Sequence, residues 1–264
     1  MPSEATLYLE RKPALHWCLG MQASASTWIY NAALKIAPIL VPDVPAQGRF
    51  VAYRGKLGFL DDPGLHIVKS HGVDAPTEAE LGKRATSIII SLRDPRDAVA
   101  SLMLYHSENF KEALTEVERA AATCARFAAD PRAIVLRYET RFTEDPATID
   151  RIAGIFGREL PRQDRDLIFD EFRRENVEKL ISSFEQSSRA QPAGGEDFYD
   201  PDTQWHKLHV GRTGEIGKWR RTLSEGQIAR IEVRLSDCMG SFDYTPTRSP
   251  SLVARLMNLR RRAA

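Results

Sequence analysis

The sequence predicts an α/β protein in which a mostly parallel sheet carries helices on both faces. Short apolar runs of the kind that form buried strands alternate with longer segments of helical periodicity. Motifs of small residues and of charged residues follow these runs. They would lie at the carboxyl ends of the strands, where such folds bind ligands. The chain has 264 residues and 42% hydrophobic composition, enough for a full core. We expect one domain over residues 1–264, with its core at about 14–245 and a basic tail at 246–264.

Four short apolar segments are predicted to be strands. They cover residues 14–20, 65–71, 86–92 and 133–138. The first stops at Gly20 and the third carries three consecutive isoleucines, features that are typical of buried strands bounded by turns.

Helical periodicity between and after these segments predicts six helices. They cover residues 27–36, a stretch from 94 onward, 111–129, 146–156, 163–181 and 224–239. Pro38 is expected to limit the first helix because proline lacks the backbone N–H. Asp94 and Pro95 are suited to cap and begin the second. Residues 186–217 lack periodicity and are rich in glycine and proline, which indicates a functional loop.

Composition excludes several classes of protein. The 37 basic and 36 acidic side chains give a net charge of +1, so charge gives no reason to expect a nucleic acid partner. Cys18, Cys124 and Cys238 form no Cys-x-x-Cys pair, which predicts neither a zinc site nor a disulfide framework and fits a reducing compartment. We see no signal peptide and no apolar run long enough to span a bilayer. We therefore expect a cytoplasmic protein without a metal.

The loop after the first predicted strand has the composition of an anion-binding site. Its small residues let backbone N–H groups approach an anion at a helix N-terminus. Ser24, Ser26 and Thr27 can add hydroxyl donors. The ordinary alternative is a helix start that Ser26 or Thr27 caps.

A nucleoside triphosphate loop is a weaker interpretation of the same segment. A Walker A motif would have Gly and Lys where Ala25 and Ser26 stand. A kinase that uses Asp94 as its magnesium ligand is therefore the weaker alternative.

A second motif runs over residues 93–101. Arg93 ends the isoleucine-rich strand, and Ser101 lies about two helical turns further on. An arginine can donate two hydrogen bonds to a phosphate while a serine hydroxyl adds a third. The alternative is a charged surface turn held by salt bridges.

Both motifs resemble the phosphosulfate-binding segments of sulfotransferases that use 3′-phosphoadenylyl sulfate (PAPS). Four further segments match that family in order. Residues 68–71 resemble its Lys-Thr-His segment, 136–139 its Arg-Tyr-Glu segment, 182–184 its adenine-side segment, and 212–219 its Arg-Lys-Gly loop followed by Gly-Asp-Trp. The resemblance spans residues 15 to about 244 and implies a P-loop nucleotide-kinase-like sheet.

The resemblance implies a donor-binding role for each matching residue. The 3′-phosphate would be held by Arg93 and Ser101, with Arg212, Thr213 and Gly214 closing over it. The 5′-phosphosulfate would be held by the loop residues Ser24, Ala25, Ser26 and Thr27. Trp28, otherwise an ordinary core residue at a helix start, would stack on adenine, with Tyr138 and Phe184 completing the nucleoside pocket.

His71 is the candidate general base, and Lys69 is its candidate partner. An acceptor hydroxyl needs a base to take its proton, and histidine has a suitable pKa. The two residues are two apart on a predicted strand, so they project from one face. The ammonium could then meet charge on the transferring group or the leaving phosphate.

The sequence departs from the family at Ala23, where a lysine or arginine is usual. Lys69 could supply the missing charge; otherwise the protein is slow or binds the nucleotide without turnover. The family's glycine two residues later is Ala25, which would cost about 1 kcal/mol if that position requires a positive φ.

The expected activity is in-line transfer of a sulfuryl group from PAPS to a hydroxyl or amine, with release of 3′-phosphoadenosine 5′-phosphate (PAP) and no metal. The acceptor class stays open among small molecules, glycans and lipids, as does the oligomeric state. The alternatives are a PAP- or PAPS-binding protein that is catalytically weak or inactive, and the kinase. The basic tail could lie on an acidic membrane as an amphipathic helix, but we favour a solvated or docked terminal segment.

Overall fold

Five parallel strands form the central sheet of the computed structural model. The structure describes residues 14–53, 57–105, 108–194, 196–208 and 214–247. The strands are β1 (Ala14–Gly20), β2 (Ala46–Val51), β3 (Leu65–Ser70), β4 (Ala85–Leu92) and β5 (Ala133–Arg137). Their order is β2-β3-β1-β4-β5, so the chain builds outward to both sides of β1.

The predicted strands are confirmed, and the edge strand β2 was missed. Every residue of β1 and β3 is buried, and so is every residue of β4 except Thr86. Such strands are apolar along their length because helices cover both faces. Strand β2 lies at the sheet edge and is half exposed, so its sequence lacks the apolar run that identified the others.

Ten helices surround the sheet in the described part of the chain. They are α1 (Ser26–Leu40), α2 (Ala75–Arg84), α3 (Pro95–Tyr105), α4 (Phe110–Phe127), α5 (Ala147–Ala153), α6 (Arg162–Glu171), α7 (Arg174–Ser182), α8 (Trp219–Thr222), α9 (Glu225–Arg234) and α10 (Ser236–Ser241). Short 3₁₀ turns join several of them.

Three predicted helices have different bounds in the structure. The helix predicted over residues 224–239 is two helices, α9 and α10, which meet at Leu235. Helix α1 continues through Pro38 to Leu40; the proline lies in the last turn, where it removes one hydrogen bond and burial of Leu40 offsets the loss. The single helix predicted over residues 163–181 is two helices that break at Phe172. The carbonyl of Phe172 accepts a hydrogen bond from the Trp28 indole, so a tertiary contact marks the break.

The core lies in two layers, one on each face of the sheet. Ile88 and Ile90 of β4 belong to the cluster under α3, α4 and α9, whereas Ile89 belongs to the cluster under α1, α5, α6 and α7. This alternation follows from the two-residue period of a strand. The predicted α/β class, with a parallel sheet between helical layers, is confirmed.

The segment predicted to be an irregular loop contains a two-stranded antiparallel hairpin. Its strands are β6 (Gln191–Gly194) and β7 (Asp197–Tyr199). The following turn is closed by a hydrogen bond from the Asp200 amide to the Trp205 carbonyl, 3.0 Å, and Trp205 faces a cavity. The basic tail from residue 248 lies outside the described residues.

Within the described ranges, no helix combines the length and the apolar composition needed to cross a membrane. In the same ranges, no group of three or more histidine, cysteine, aspartate or glutamate side chains is arranged to hold a metal ion.

Candidate functional site

A cavity of about 890 Å³ opens at the carboxyl ends of the parallel strands. Its walls include Ala23 after β1, His71 after β3, Arg93 after β4 and Tyr138 after β5. Cavities of several hundred Å³ accommodate ligands of nucleotide size. Open α/β sheets bind their ligands at the carboxyl ends of the strands, which is where this cavity lies.

The loop between β1 and α1 is tightly folded. A Cβ on Gly20 would lie 2.3 Å from the Ser91 Oγ, so only glycine fits at the end of β1. Ala23 and Ala25 have left-handed backbone, with φ of 55° and 65°. This conformation costs an L-residue about 1–2 kcal/mol. Ala25 therefore has the positive φ that was the condition for its predicted conformational cost.

The N-terminus of α1 faces the cavity without a side-chain cap. Ala25 occupies the N-cap position and forms no side-chain cap hydrogen bond. Ser26 and Thr27 are the first two helical residues and line the cavity, so neither acts as the ordinary cap. The first N–H groups of a helix lack intrahelical partners and favour anions. This end of the cavity therefore suits a phosphate or sulfate.

Arg93 joins the two loops that border the anion-binding end. Its Nη1 donates to the Ala23 carbonyl at 2.8 Å, and its Nη2 donates to the Glu215 carbonyl at 2.7 Å. Its guanidinium lies 4.2 Å from the centre of the Tyr138 ring. The side chain is 3% exposed and lines the cavity, yet its Nε has no hydrogen-bond partner among the described residues. A buried donor without a partner is costly, so this atom fits an anionic ligand.

Asp97 fastens the segment after residue 214 to α3. Its carboxylate accepts hydrogen bonds from the amides of Gly217 (2.6 Å) and Trp219 (3.0 Å). Ser101, one turn further along α3, lines the same cavity and donates to the Asp97 carbonyl at 2.8 Å. The sequence motif singled out Ser101 but not Asp97, because a charged turn does not reveal which carboxylate becomes buried.

The charged run after β4 is buried, which excludes the surface salt-bridge alternative. Arg96 forms ion pairs with Asp94 (2.7 Å) and Glu232 (2.8 Å). Glu139 accepts from the Asp94 amide at 2.7 Å and from the Tyr244 hydroxyl at 3.0 Å. Buried ion pairs of this kind fix geometry because the loss of either partner leaves an uncompensated charge. They hold the turn that presents Arg93.

An aromatic wall lines the cavity away from the anion-binding end. The Trp28 indole donates to the Phe172 carbonyl at 3.0 Å and meets the Phe172 ring edge-on at 6.3 Å. Phe169, Phe172 and Val177 of the α6–α7 region line the cavity beside Trp28. Phe184 is buried in the core and does not line it. Residues 169–177 were missed because a continuous helix was predicted there.

The His71 ring is held in the tautomer that a base requires. Its Nδ1 lies 2.7 Å from the Gly20 carbonyl oxygen. A carbonyl only accepts, so Nδ1 carries the proton and the lone pair of the neutral ring is on Nε2. The Lys69 ammonium lies 3.5 Å from Nε2. His71 also lines the cavity, which a proton acceptor must do.

Lys69 lies behind His71 rather than on the cavity wall. It is 3% exposed, and its Nζ lies 4.8 Å from the centre of the Phe50 ring. Burial lowers the pKa of Lys69 to about 8, an effect that Cys18 partly opposes. The contact with His71 agrees with the prediction that residues 69 and 71 share a face of the strand.

The structure brings most of the predicted catalytic and donor-binding residues to one cavity. Those that line it are Ala25, Ser26, Thr27, Trp28, His71, Arg93, Ser101, Tyr138 and Gly214. Ser24, Lys69 and Phe184 do not line it. The Ser24 hydroxyl instead donates to the Met21 carbonyl at 2.6 Å and lies 2.7 Å from the Ser91 Oγ. Arg212 and Thr213 lie outside the described residues.

Lys218 is a cavity residue whose role no sequence motif predicted. It is 5% exposed, lines the cavity, and has its Nζ 4.7 Å from the centre of the Tyr105 ring. Burial and the nearby Arg93 lower the pKa of Lys218 to about 8. One feature of the sequence could have identified Lys218. It lies within residues 212–219, at the position where the family's Gly-Asp-Trp pattern has aspartate.

Solved structures share this fold. The mouse sulfotransferase SULT7A1 complexed with PAP is 14% identical, with a TM-score of 0.56 over 98% of this chain and 94% of that one. Retinol dehydratase in complex with androsterone and inactive cofactor PAP is 16% identical, with a TM-score of 0.54 over 95% and 84% of the two chains. Retinol dehydratase with retinol and PAP is 14% identical, with a TM-score of 0.55 over 94% and 88%. At these identities the likeness concerns the fold, and it confirms the predicted P-loop-like class.

A search among curated proteins gave no significant match. A family model described as a sulfotransferase domain matches residues 3–243, which is most of the chain. The predicted family is therefore confirmed: the chain belongs to the sulfotransferase domain family.

Proposed function

We propose that this chain moves a sulfuryl group from PAPS to a hydroxyl or amine of a small-molecule, glycan or lipid acceptor and releases PAP. One observation carries the proposal. Within the described ranges, one cavity contains a buried guanidinium whose Nε has no hydrogen-bond partner, an indole wall, and a histidine whose Nδ1 is held by the Gly20 carbonyl. These are an anion site, a base-stacking surface and a general base.

Arg93 and Ser101 are assigned to the 3′-phosphate. The guanidinium can add its Nε–H to a phosphate oxygen while its two terminal nitrogens keep the loops in place. The Ser101 hydroxyl can turn from the Asp97 carbonyl to a ligand oxygen, since Ser101 lines the cavity. The uncapped N-terminus of α1 is left for the 5′-phosphosulfate.

Trp28 is assigned to the adenine, between the phosphate end and the α6–α7 region. Its indole nitrogen is occupied by the Phe172 carbonyl, so its ring face is the part available to a ligand. Stacking of bases on aromatic rings contributes about 1–3 kcal/mol. The three solved structures named above are complexes with PAP, which supports an adenine nucleotide that carries two phosphates.

His71 takes the proton from the acceptor. Its Nε2 accepts the hydroxyl proton while the acceptor oxygen forms a bond to sulfur. The bond from sulfur to the bridging oxygen breaks in line with this attack, and its electron pair stays on the phosphate oxygen of PAP. This step requires an Nε2 without a proton. The Gly20 carbonyl maintains the tautomer in which the proton is on Nδ1.

Of the two alternatives, one keeps specific support. Ala23, which stands at the family's lysine position and lines the cavity, favours a protein that binds PAP or PAPS without turnover. The kinase is the weaker one, because Ala25 and Ser26 replace the Walker glycine and lysine. Turnover of ATP that depends on magnesium would favour the kinase.

PAP is expected to raise the melting temperature of the wild-type protein by roughly 5 °C or more at a hundred times its Kd. AMP, which lacks the 3′-phosphate, should give a much smaller shift. The Arg93→Ala variant should lose most of the PAP-induced shift relative to its own ligand-free value, because the charge-assisted contact is removed.

The measurement is differential scanning fluorimetry of the full chain with each nucleotide. Arg162→Ala is a matched control, because Arg162 is 86% exposed on α6. Equal shifts from AMP and PAP in the wild type would contradict the assignment of a 3′-phosphate site.

A further inference from the structure

We propose that Lys218 is an additional ligand of the donor's 3′-phosphate and joins Arg93 and Ser101 at one end of the cavity. The proposal rests on the proposed function, since it names a further residue of the same donor site. It assigns a role to a cation that occupies the place of an aspartate in the Gly-Asp-Trp pattern.

The Lys218 ammonium is buried and forms no ion pair within the described residues. The residue is 5% exposed and lines the cavity. In the part of the chain that the structure describes, the only interaction of its Nζ at contact distance is with the ring of Tyr105, at 4.7 Å. A buried charge that has neither an ion pair nor hydrogen bonds is strongly unfavourable. This ammonium therefore suits an anion that enters the cavity.

The charges around Lys218 leave this end of the cavity positive. Arg93, from the end of β4, repels Lys218, and Asp97 of α3 attracts it. The Asp97 carboxylate already accepts the amides of Gly217 and Trp219 and lies 3.9 Å from Arg93. Glu215 also attracts Lys218 but is ion-paired with Arg221. Arg93 and Lys218 therefore share the remaining carboxylate, Asp97, and a phosphate dianion would compensate the excess positive charge.

The packing of Lys218 favours the 3′-phosphate over the 5′ end. The residue packs on Tyr105, one helical turn after Ser101 on α3. Asp97 of the same helix fixes its backbone through both neighbours, Gly217 and Trp219. Lys218 is therefore tied to the helix that carries Ser101, whereas the 5′ end is assigned to the N-terminus of α1.

A second readout follows from titration. In the ligand-free protein the net pKa of Lys218 is lowered to about 8, chiefly by burial and by Arg93. Asp97 and Glu215 partly oppose this shift, and Arg221 adds to it. The Tyr105 ring also faces the ammonium. A bound phosphate favours the charged form and raises the pKa. Above about pH 8, PAP binding then takes up a proton, so the Kd for PAP rises with pH by up to about tenfold per unit.

The experiment is calorimetric titration of the full chain with PAP and with AMP, using wild type, Lys218→Met and Lys218→Arg. Lys218→Met should raise the Kd for PAP by about ten- to a hundredfold and change that for AMP less than about threefold. Lys218→Arg should restore most of the affinity, because it keeps the charge. The control is Lys83→Met, at an exposed position of α2.

Folding of the variants is checked by their ligand-free melting temperatures. Lys218→Met should melt at or above the wild type, because it removes a buried charge that has no ion pair among the described residues. The rise of Kd with pH above about 8 should be smaller in Lys218→Met than in wild type. Lys69, whose pKa is also about 8, is present in both proteins, so the difference reports on Lys218.

The outcomes separate this inference from the proposed function. A wild type that binds PAP no better than AMP would overturn the proposed function and this inference with it. If the wild type prefers PAP and Lys218→Met binds it equally well, only the role of Lys218 is overturned. Equal losses of PAP and AMP affinity would also overturn it, since the 3′-phosphate would not be the group contacted.

Discussion

Replacing His71 with alanine is expected to slow sulfuryl transfer by roughly a hundredfold to ten-thousandfold. The Kd for PAP should stay nearly unchanged. Nε2 is the atom that takes the acceptor's proton, and it acts on the acceptor rather than on the nucleotide. The measurement pairs single-turnover transfer at saturating PAPS with a PAP titration of the same protein.

His71→Asn is the matched variant for this prediction. The asparagine side-chain amide can donate to the Gly20 carbonyl as Nδ1 does, but it has no group that accepts a proton at neutral pH. We expect His71→Asn to have the melting temperature of the wild type and to transfer the sulfuryl group as slowly as the alanine variant. Full transfer activity in either variant would exclude His71 as the base.

Replacing Ala23 with lysine is expected to raise the rate of PAPS breakdown by about ten- to a thousandfold. Negative charge grows on the bridging oxygen as its bond to sulfur breaks, and a cation at that atom acts mainly in the transition state. Ala23 lines the cavity, and its left-handed backbone imposes a similar cost on lysine and alanine. The Kd for PAPS should therefore change less than the rate.

Slow hydrolysis of PAPS to PAP is the readout for Ala23→Lys, and it needs no acceptor. Ala23→Met gives a side chain of similar length without charge and should behave like the wild type. An unchanged rate in Ala23→Lys would mean that this loop does not meet the leaving group as we propose, and the non-catalytic interpretation would gain support.

The sheet was predictable because its strands are buried on both faces. An apolar run such as that of β4 identifies itself, since Ile88 and Ile90 pack on one layer while Ile89 packs on the other. Edge strand β2 was not predictable in this way, because half of its surface faces solvent. The break of the helix at Phe172 depends on the distant Trp28 indole, which local periodicity does not report.

The site was predictable where a motif carries its own geometry. Arg93 follows a buried strand and must emerge at the sheet edge, and Lys69 and His71 share a strand face. The burial of a side chain and its hydrogen-bond partners depend on tertiary packing, so the sequence did not predict the roles of other residues. Asp97 became an anchor for the segment after residue 214, and Lys218 became a cavity cation.

The central claim is that this chain transfers the sulfuryl group of PAPS. The most direct test is a mass-spectrometric screen of extracted metabolites and glycolipids incubated with the protein and PAPS. We predict formation of PAP together with a product heavier by one SO₃ group, and its loss in His71→Asn. Tight binding of PAP with no sulfated product and no consumption of PAPS across the extracts would contradict the claim and identify a nucleotide-binding protein without turnover.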